Sequence, residues 1–405
     1  MSGIFPPREA VAVRQPRLGS YHGAMATPSA VPPTTEQVTE ALSRVNDPEI
    51  HRPITELGMV KEVEVSPDGA VRVDVWLTVA GCPMRETITR EVTAAVSQLA
   101  GVTGVRVGLD VMSEEQRRAL QSQLRGGRPE RQNPFAEDTS LTRVFAVASG
   151  KGGVGKSSVT VNLAAALAAS GQQVGVLDAD MYGFSVPRML GVDGLPTQVE
   201  KMIMPPSAHG VKVISVGMFT KANEPVPWRG PILHRALEQF LGDVYWGDLD
   251  VLLLDLQPGT GDVAISVGHL LPNAELLVVT TPQVAAAEVA ERAGALAPQL
   301  HQQVAGVIEN MSYLPCPHCG DRIELYGSGG GQAVADELTR IIGTRVPLLG
   351  QVPQDIALRE GGDAGLPLVL SNPDSEAAKQ LTIIADQLAN RHRGLAGRRL
   401  GITPV

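Results

Sequence analysis

Residues Gly150-Lys151-Gly152-Gly153-Val154-Gly155-Lys156-Ser157 fit the pattern G-x-x-x-x-G-K-[ST], with Gly150, Gly155, Lys156 and Ser157 in the fixed places. Glycines at these spacings let a backbone wrap a phosphate with its N–H groups turned inward. Gly152, Gly153, Val154, Gly155, Lys156, Ser157 and Ser158 are the expected cradle, reinforced by the positive end of the helix that follows. Lys156 is placed to reach the β- and γ-phosphates of a nucleotide, and Ser157 to hold Mg²⁺.

A second constellation is sulfur. The chain has three cysteines, Cys82, Cys316 and Cys319, which is no disulfide framework. Cys316-Pro317-His318-Cys319-Gly320 makes a tight knuckle whose sulfurs converge, with His318 expected to point to solvent. Two thiolates leave a tetrahedral zinc or a [4Fe–4S] cluster short of the four ligands each takes. Two chains about a two-fold axis would supply the pair twice. Iron–sulfur, zinc and thiol redox chemistry all stay open on these residues. Redox fits least, because such a pair normally opens a helix, whereas this one precedes Gly320-Asp321 and a glycine run from Gly327 to Gly331.

These groups need elements to hold them. Upstream of the glycine loop, Val144–Ala148 is an apolar run of the kind found in buried parallel strands. Downstream, Ser157–Ala169 is alanine-rich, with Val161, Leu163, Ala164 and Leu167 at helical spacing and Gly171 as a stop. Further strands are expected at Val174–Leu177, Val211–Val216, Val251–Leu254, Leu276–Thr280, Val304–Ile308 and Val346–Leu349. Helical stretches such as Ala285–Leu300 and Gln332–Ile342 alternate with them. The alternation predicts an α/β fold, a mostly parallel sheet covered by helices on both faces. Ahead of it, residues 34–125 read as a small α+β domain. There Thr35 is expected to cap a helix holding Val38, Ala41, Leu42 and Val45. Strands follow at Val60–Val65 and Val71–Leu77, then a helix from Pro83 to Leu99 and a strand at Val102–Leu109. Residues 1–33 lack apolar periodicity and read as disordered, with Met25 a second possible start. Residues 126–141 read as a linker, 142–390 as the nucleotide domain and 391–405 as a frayed basic tail.

Composition narrows the class. Over 405 residues, 43% hydrophobic and 19% charged residues suit a globular protein of two or three domains. A net charge of −9 and 3% aromatics argue against nucleic acid as a partner, and no apolar run reaches membrane-spanning length. The expectation is a cytoplasmic protein that binds neither nucleic acid nor membrane.

Two strand ends carry carboxylates. Asp178-Ala179-Asp180-Met181-Tyr182-Gly183 follows Val174–Leu177 at the carboxyl edge of the sheet, where such folds bind ligands. Val251–Leu254 ends in Asp255-Leu256-Gln257-Pro258-Gly259-Thr260-Gly261-Asp262. Four apolar residues and then Asp place a carboxylate near a Mg²⁺ shell, and Gly259 can offer its N–H to a γ-phosphate.

With its early Lys151, the K-G-G-x-G-K-S loop resembles the deviant phosphate-binding loop of MinD/ParA/Mrp ATPases. Together with C-P-x-C and D-x-x-P-G-T-G-D, the chain resembles the Mrp/ApbC-type iron–sulfur cluster carrier ATPases over nearly all of residues 40–370. Asp47-Pro48-Glu49-Ile50, Glu56-Leu57-Gly58 and Gly81-Cys82-Pro83-Met84 resemble the iron–sulfur assembly domain often fused ahead of them. The resemblance implies an ATP-sandwiched homodimer in which Lys151 reaches the partner's nucleotide. It implies that Asp180 orients or activates the attacking water, that Asp178 supports Mg²⁺, and that Asn310 binds the adenine edge with backbone help around Pro353. It also implies a [4Fe–4S] cluster bridged by Cys316 and Cys319 of two chains and handed to apo-proteins or taken from cluster scaffolds, with Cys82 a candidate transfer thiol favoured as thiolate before a helix. Gln257 departs from the usual proline, which loosens the expected coupling of hydrolysis to movement. Two other readings remain: a MinD- or ParA-like positioning or partitioning switch, which leaves the cysteine pair unexplained, and an ATPase with a structural zinc between two chains.

Overall fold

The computed structural model describes residues 31–78, 84–124, 133–137, 139–181, 183–219, 230–259, 261–283, 297 and 302–391. The expected helix Ala285–Leu300, Cys82, Pro83, Tyr182, Thr260, residues 1–30 and the tail from His392 lie outside these apart from Ala297.

The small domain begins with α1 (Thr35–Leu42). Thr34, not Thr35, caps it: its hydroxyl accepts from Gln37 N–H and Gln37 Oε1 accepts from Thr34 N–H. The helix stops at Leu42, and Val45 is buried in the turn beyond it rather than within it. Strands β1 (Val60–Val65), β2 (Ala70–Leu77) and β3 (Gly104–Val111) form one sheet in that order, β1 antiparallel and β3 parallel to β2. α2 (Arg85–Ser97) begins two residues later than the Pro83 start expected, with Met84 as N-cap. It lays Ile88, Val92 and Val96 on the core. α3 (Glu114–Leu124) closes the domain.

Among the described residues, the nucleotide domain is built on eight strands: β4 (Arg143–Ala148), β5 (Val174–Ala179), β8 (Ser207–Ala208), β9 (Val211–Ser215), β10 (Val251–Leu256), β11 (Glu275–Thr280), β12 (Gln303–Asn310) and β15 (Leu348–Val352). They lie in the order β15-β12-β11-β4-β10-β5-β9-β8. Every pairing is parallel except β8 with β9. The pleat explains why the strands read as unbroken apolar runs. On β4, Val144, Ala146 and Ala148 join one core while Phe145 and Val147 join the other. On β10, Leu252, Leu254 and Leu256 face the first core, and Val251 and Leu253 the second. Each such Leu or Val contributes roughly 1.5–3 kcal/mol by leaving water. Helices α4 (Lys156–Ala169) and Glu376–Ala389 cover one face; α5 (Gly230–Gly242) and α6 (Asp262–Leu270) cover the other.

A hairpin that periodicity did not reveal joins the domains. Strands β6 (Thr197–Val199) and β7 (Met202–Met204) alternate sides. Val199, Met202 and Met204 enter the small-domain core, while Ile203 enters the nucleotide-domain core. Arg117 Nε lies 2.9 Å from Glu200 at the hairpin tip, and Thr197 donates to Glu49 at 3.2 Å. The stretch expected to be a bare linker has an anchor. Phe135 is 4% exposed, packs edge-on to Trp246 at 6.4 Å, and is flanked by Asn133 Nδ2 donating to Leu270 O. Arg391, assigned to the tail, is docked as well: its guanidinium pairs with Glu275 at 2.8 Å.

Candidate functional site

The glycine loop runs from the end of β4 into α4, whose N-cap is Gly155 in the left-handed region at φ 79°. Gly153 also has φ 79°, and none of the described residues lies within 4 Å of where a side chain at Gly152 or Gly153 would begin. The cradle is therefore open above, and the first-turn N–H groups of α4 face it unsatisfied by any cap side chain. At Gly155 the reason for glycine is double. The positive φ disfavours a side chain, and a Cβ would stand 2.3 Å from Asn310 Nδ2.

Strand register brings the carboxylates together. Asp255 on β10 pairs directly with Asp178 on β5, so both are fully buried residues within their strands rather than beyond them. Lys156 Nζ is 2.7 Å from Asp255 Oδ1, with the lysine 5% and the aspartate 0% exposed. Ser157 Oγ donates to Asp255 Oδ2 at 2.6 Å, and Thr160 Oγ1 to Oδ1 at 2.9 Å. Thr160, one helical turn after Lys156, escaped the motif because it lies past the last fixed position. Asp178 accepts from Asp180 N–H, Val186 N–H and the Ser215 hydroxyl. Burial first, and then the charge of Asp255, push its carboxyl up to about 7. Two facing carboxylates share one lysine, a donor set short of positive charge. That fits Mg²⁺ held by Ser157 with Asp255 and Asp178 behind it.

Asp180 is 8% exposed and accepts from Gly183 N–H at 3.0 Å, which shapes the loop after β5. Gly259, at φ 96°, donates its N–H to Ser149 O at 2.8 Å and so lies against the glycine loop. Lys151, expected to reach across a dimer, here donates to Gln283 of its own chain. Asn310 ends β12 and donates through Nδ2 to Val154 O at 2.9 Å, gripping the loop itself. Its Oδ1 is buried without a hydrogen-bond partner among the described residues. An orphaned acceptor at this place fits an amino group such as the adenine N6. Pro353 follows β15, in a backbone ladder where Ser312 N–H donates to Val352 O and Gln354 N–H to Tyr313 O.

The cysteines sit on a separate element. Strands β13 (Leu314–Pro315) and β14 (Arg322–Ile323) form a short hairpin whose turn is the C-P-H-C knuckle. Cys316 N–H donates to Asp321 O, Gly320 N–H donates to Cys316 O, and Gly320 takes φ 78°. The N–H groups of His318 and Cys319, with the Cys319 thiol, hold the Cys316 thiol below its ordinary range. Cys319 is exposed, its sulfur 3.3 Å from Asp321 Oδ2, and His318 is exposed too. Among the described residues no group of three or more His, Cys, Asp or Glu could hold a metal. Arg322 stacks on the Tyr313 ring at 4.3 Å and, with Tyr313, reaches Glu376, tying the hairpin to the domain.

A strand, a glycine loop and a helix with a facing strand-end carboxylate define a P-loop nucleoside triphosphatase. Residues 140–389 match the family model described as NUBPL iron-transfer P-loop NTPase, and residues 35–107 match that of an iron–sulfur cluster assembly protein. A Mycobacterium tuberculosis (strain ATCC 25618 / H37Rv) protein named iron-sulfur cluster carrier protein is 63% identical over 368 residues, covering 91% of this chain and 96% of that one. A protein of the same name from Synechocystis sp. is 41% identical over 364 residues, covering 88% and 98%. A solved Archaeoglobus fulgidus nucleotide-binding protein in complex with ADP is 35% identical, with a TM-score of 0.48 over 57% of this chain and 92% of that one. The chain belongs to the iron-transfer P-loop NTPase family, as its motifs led us to expect. No helix among the described residues is long and apolar enough to cross a membrane.

Proposed function

We propose that this protein is an ATP-hydrolysing carrier that binds a [4Fe–4S] cluster as cargo between two copies of the chain and passes it to apo-proteins. The observation that carries the reading is the exposed cysteine knuckle. Two converging thiols stand at a hairpin tip with no third ligand among the described residues. A second copy about a two-fold axis supplies the missing pair. The cytoplasm, where thiols stay reduced, is the compartment this reading expects.

The same reading gives the nucleotide-site residues their roles. Lys156 turns from Asp255 to the β- and γ-phosphates, and the N–H groups from Gly152 to Ser158 surround them. Mg²⁺, when bound, supplies charge neutralisation at those phosphates, with Ser157 as its ligand. Asp180 orients the water, Gly259 turns its N–H from Ser149 O to the γ-phosphate, and Asn310 Oδ1 with the backbone at Pro353 takes the adenine edge. Lys151 leaves Gln283 for the partner's nucleotide, so turnover depends on pairing. Cys82 is the candidate thiol for handing the cluster on.

The test is delivery. Chain loaded anaerobically with iron and sulfide is mixed with an apo-ferredoxin, and acceptor cluster is read by its absorption. Transfer that is lost in Cys319→Ala supports the carrier. A loaded chain that never yields its cluster overturns it.

A further inference from the structure

Glu309 is a buried carboxylate to which nucleotide chemistry assigns no task. It is 0% exposed, at the end of β12 and next to Asn310. Two donors hold it. Gly331 N–H gives to Oε2 at 2.6 Å, and Gln351 Nε2 gives to Oε1 at 2.7 Å. Gly331 lies in the first turn of the helix Gly330–Ile342, where a negative charge is favoured. A carboxylate bonded this way is held about twice as strongly as a neutral acceptor.

The position of that bond matters. Glu309 and Gly331 are 22 residues apart, and the chain between them carries the cysteine hairpin. The bond therefore closes the base of the whole excursion. Its tightness is built into the glycine run. A Cβ at Gly331 would stand 2.7 Å from Glu309 Cβ, and one at Gly330 would stand 2.4 Å from Pro282 O. Pro282 precedes Gln283, the residue that holds Lys151. On the other side, Asn310 grips the phosphate loop through Val154 O. One carboxylate thus lies between the nucleotide pocket and the root of the cysteine hairpin.

We propose that Glu309 is a positioning residue that couples the nucleotide pocket to the cysteine hairpin. It clamps Gly331 at the hairpin's base while Asn310 responds to what occupies the loop. Nucleotide binding changes the exposure of Cys316 and Cys319 through this clamp. The inference rests on the reading of Asn310 as an adenine contact, but it does not need a cluster to be bound.

The experiment uses the full-length, metal-free, reduced chain. Alkylation rates of Cys316 and Cys319 are followed by peptide mass spectrometry, with Cys82 read separately. Rates are compared without nucleotide and with Mg²⁺ and a non-hydrolysable ATP analogue. In the unaltered chain the nucleotide should change the Cys316 and Cys319 rates by about fivefold or more. In Glu309→Gln the ratio should fall to about one, while the analogue's Kd stays within about threefold. The exchange Glu309→Gln with Gln351→Glu moves the charge off the Gly331 bond and should leave the ratio near one; a restored ratio would overturn the clamp at Gly331. Gln351→Ala, at an exposed position, leaves the fold intact and should give an intermediate ratio. An unaltered chain whose thiol rates ignore nucleotide would overturn the coupling, as would Glu309→Gln or Gln351→Ala keeping the full ratio. Iron and sulfide loading, measured separately, reports on the carrier reading, so the two can fail independently.

Discussion

Asp178→Asn isolates the electrostatics of the site. The Asp178 carboxyl is pushed from 3.8 up to about 7, by burial and then by Asp255 across the β5–β10 pair. Between those values the folded chain keeps a proton that the unfolded chain releases. The stability contributed by this group is therefore fully present below about pH 4 and is lost as pH rises through about 7. Between pH 5 and pH 8 the loss amounts to about 2–3 kcal/mol. Asn cannot titrate, so the variant lacks this slope. It weakens one of the bonds from Asp180 N–H, Val186 N–H or the Ser215 hydroxyl, a cost that does not vary with pH. Urea unfolding of both proteins in EDTA, without nucleotide, measures the difference at each pH. The variant should gain on the parent by about 2–3 kcal/mol from pH 5 to pH 8. Parallel profiles, within about 0.5 kcal/mol of each other, would refute the view that two facing carboxylates share one lysine.

Other outcomes follow from the same geometry. Gly155→Ala forces a Cβ against Asn310 Nδ2 at a positive φ, and should raise the Kd for ATP at least about tenfold, read by fluorescent-analogue titration. Arg117→Glu and Glu200→Arg should each cost about 0.5–1 kcal/mol, and the double exchange should recover most of it in a double-mutant cycle. Independent single losses would mean that the pair does not hold the domains. Lys151→Ala should bind ATP normally yet lose its concentration-dependent turnover, and unchanged turnover would remove the trans role.

Much of the nucleotide site could be read directly because its groups are close in sequence. The glycine loop, Lys156 and Ser157 lie within eight positions, and Asp255 ends an apolar run of the kind found in buried strands. Sequence could not show that Asp178 and Asp255 face each other, since that depends on β5 lying beside β10. The β6–β7 hairpin was missed for a physical reason. Its strands are three residues long, and its apolar side chains are divided between two cores. Phe135 is one aromatic in a polar stretch, and only the packed Trp246 shows it to be an anchor. Thr34 takes the cap from Thr35 because Gln37, three residues on, can return its bond. The bond of Glu309 to Gly331 joins residues 22 apart, beyond any local pattern.

The cysteine knuckle is proposed to share one cluster between two chains. The most direct measurement is native mass spectrometry after anaerobic reconstitution with iron and sulfide, on the parent and on Cys316→Ala. A two-chain species carrying about four irons and four sulfides is expected, and should be absent from the variant. A two-chain species with zinc alone, or a cluster on a single chain or retained by Cys316→Ala, would contradict it.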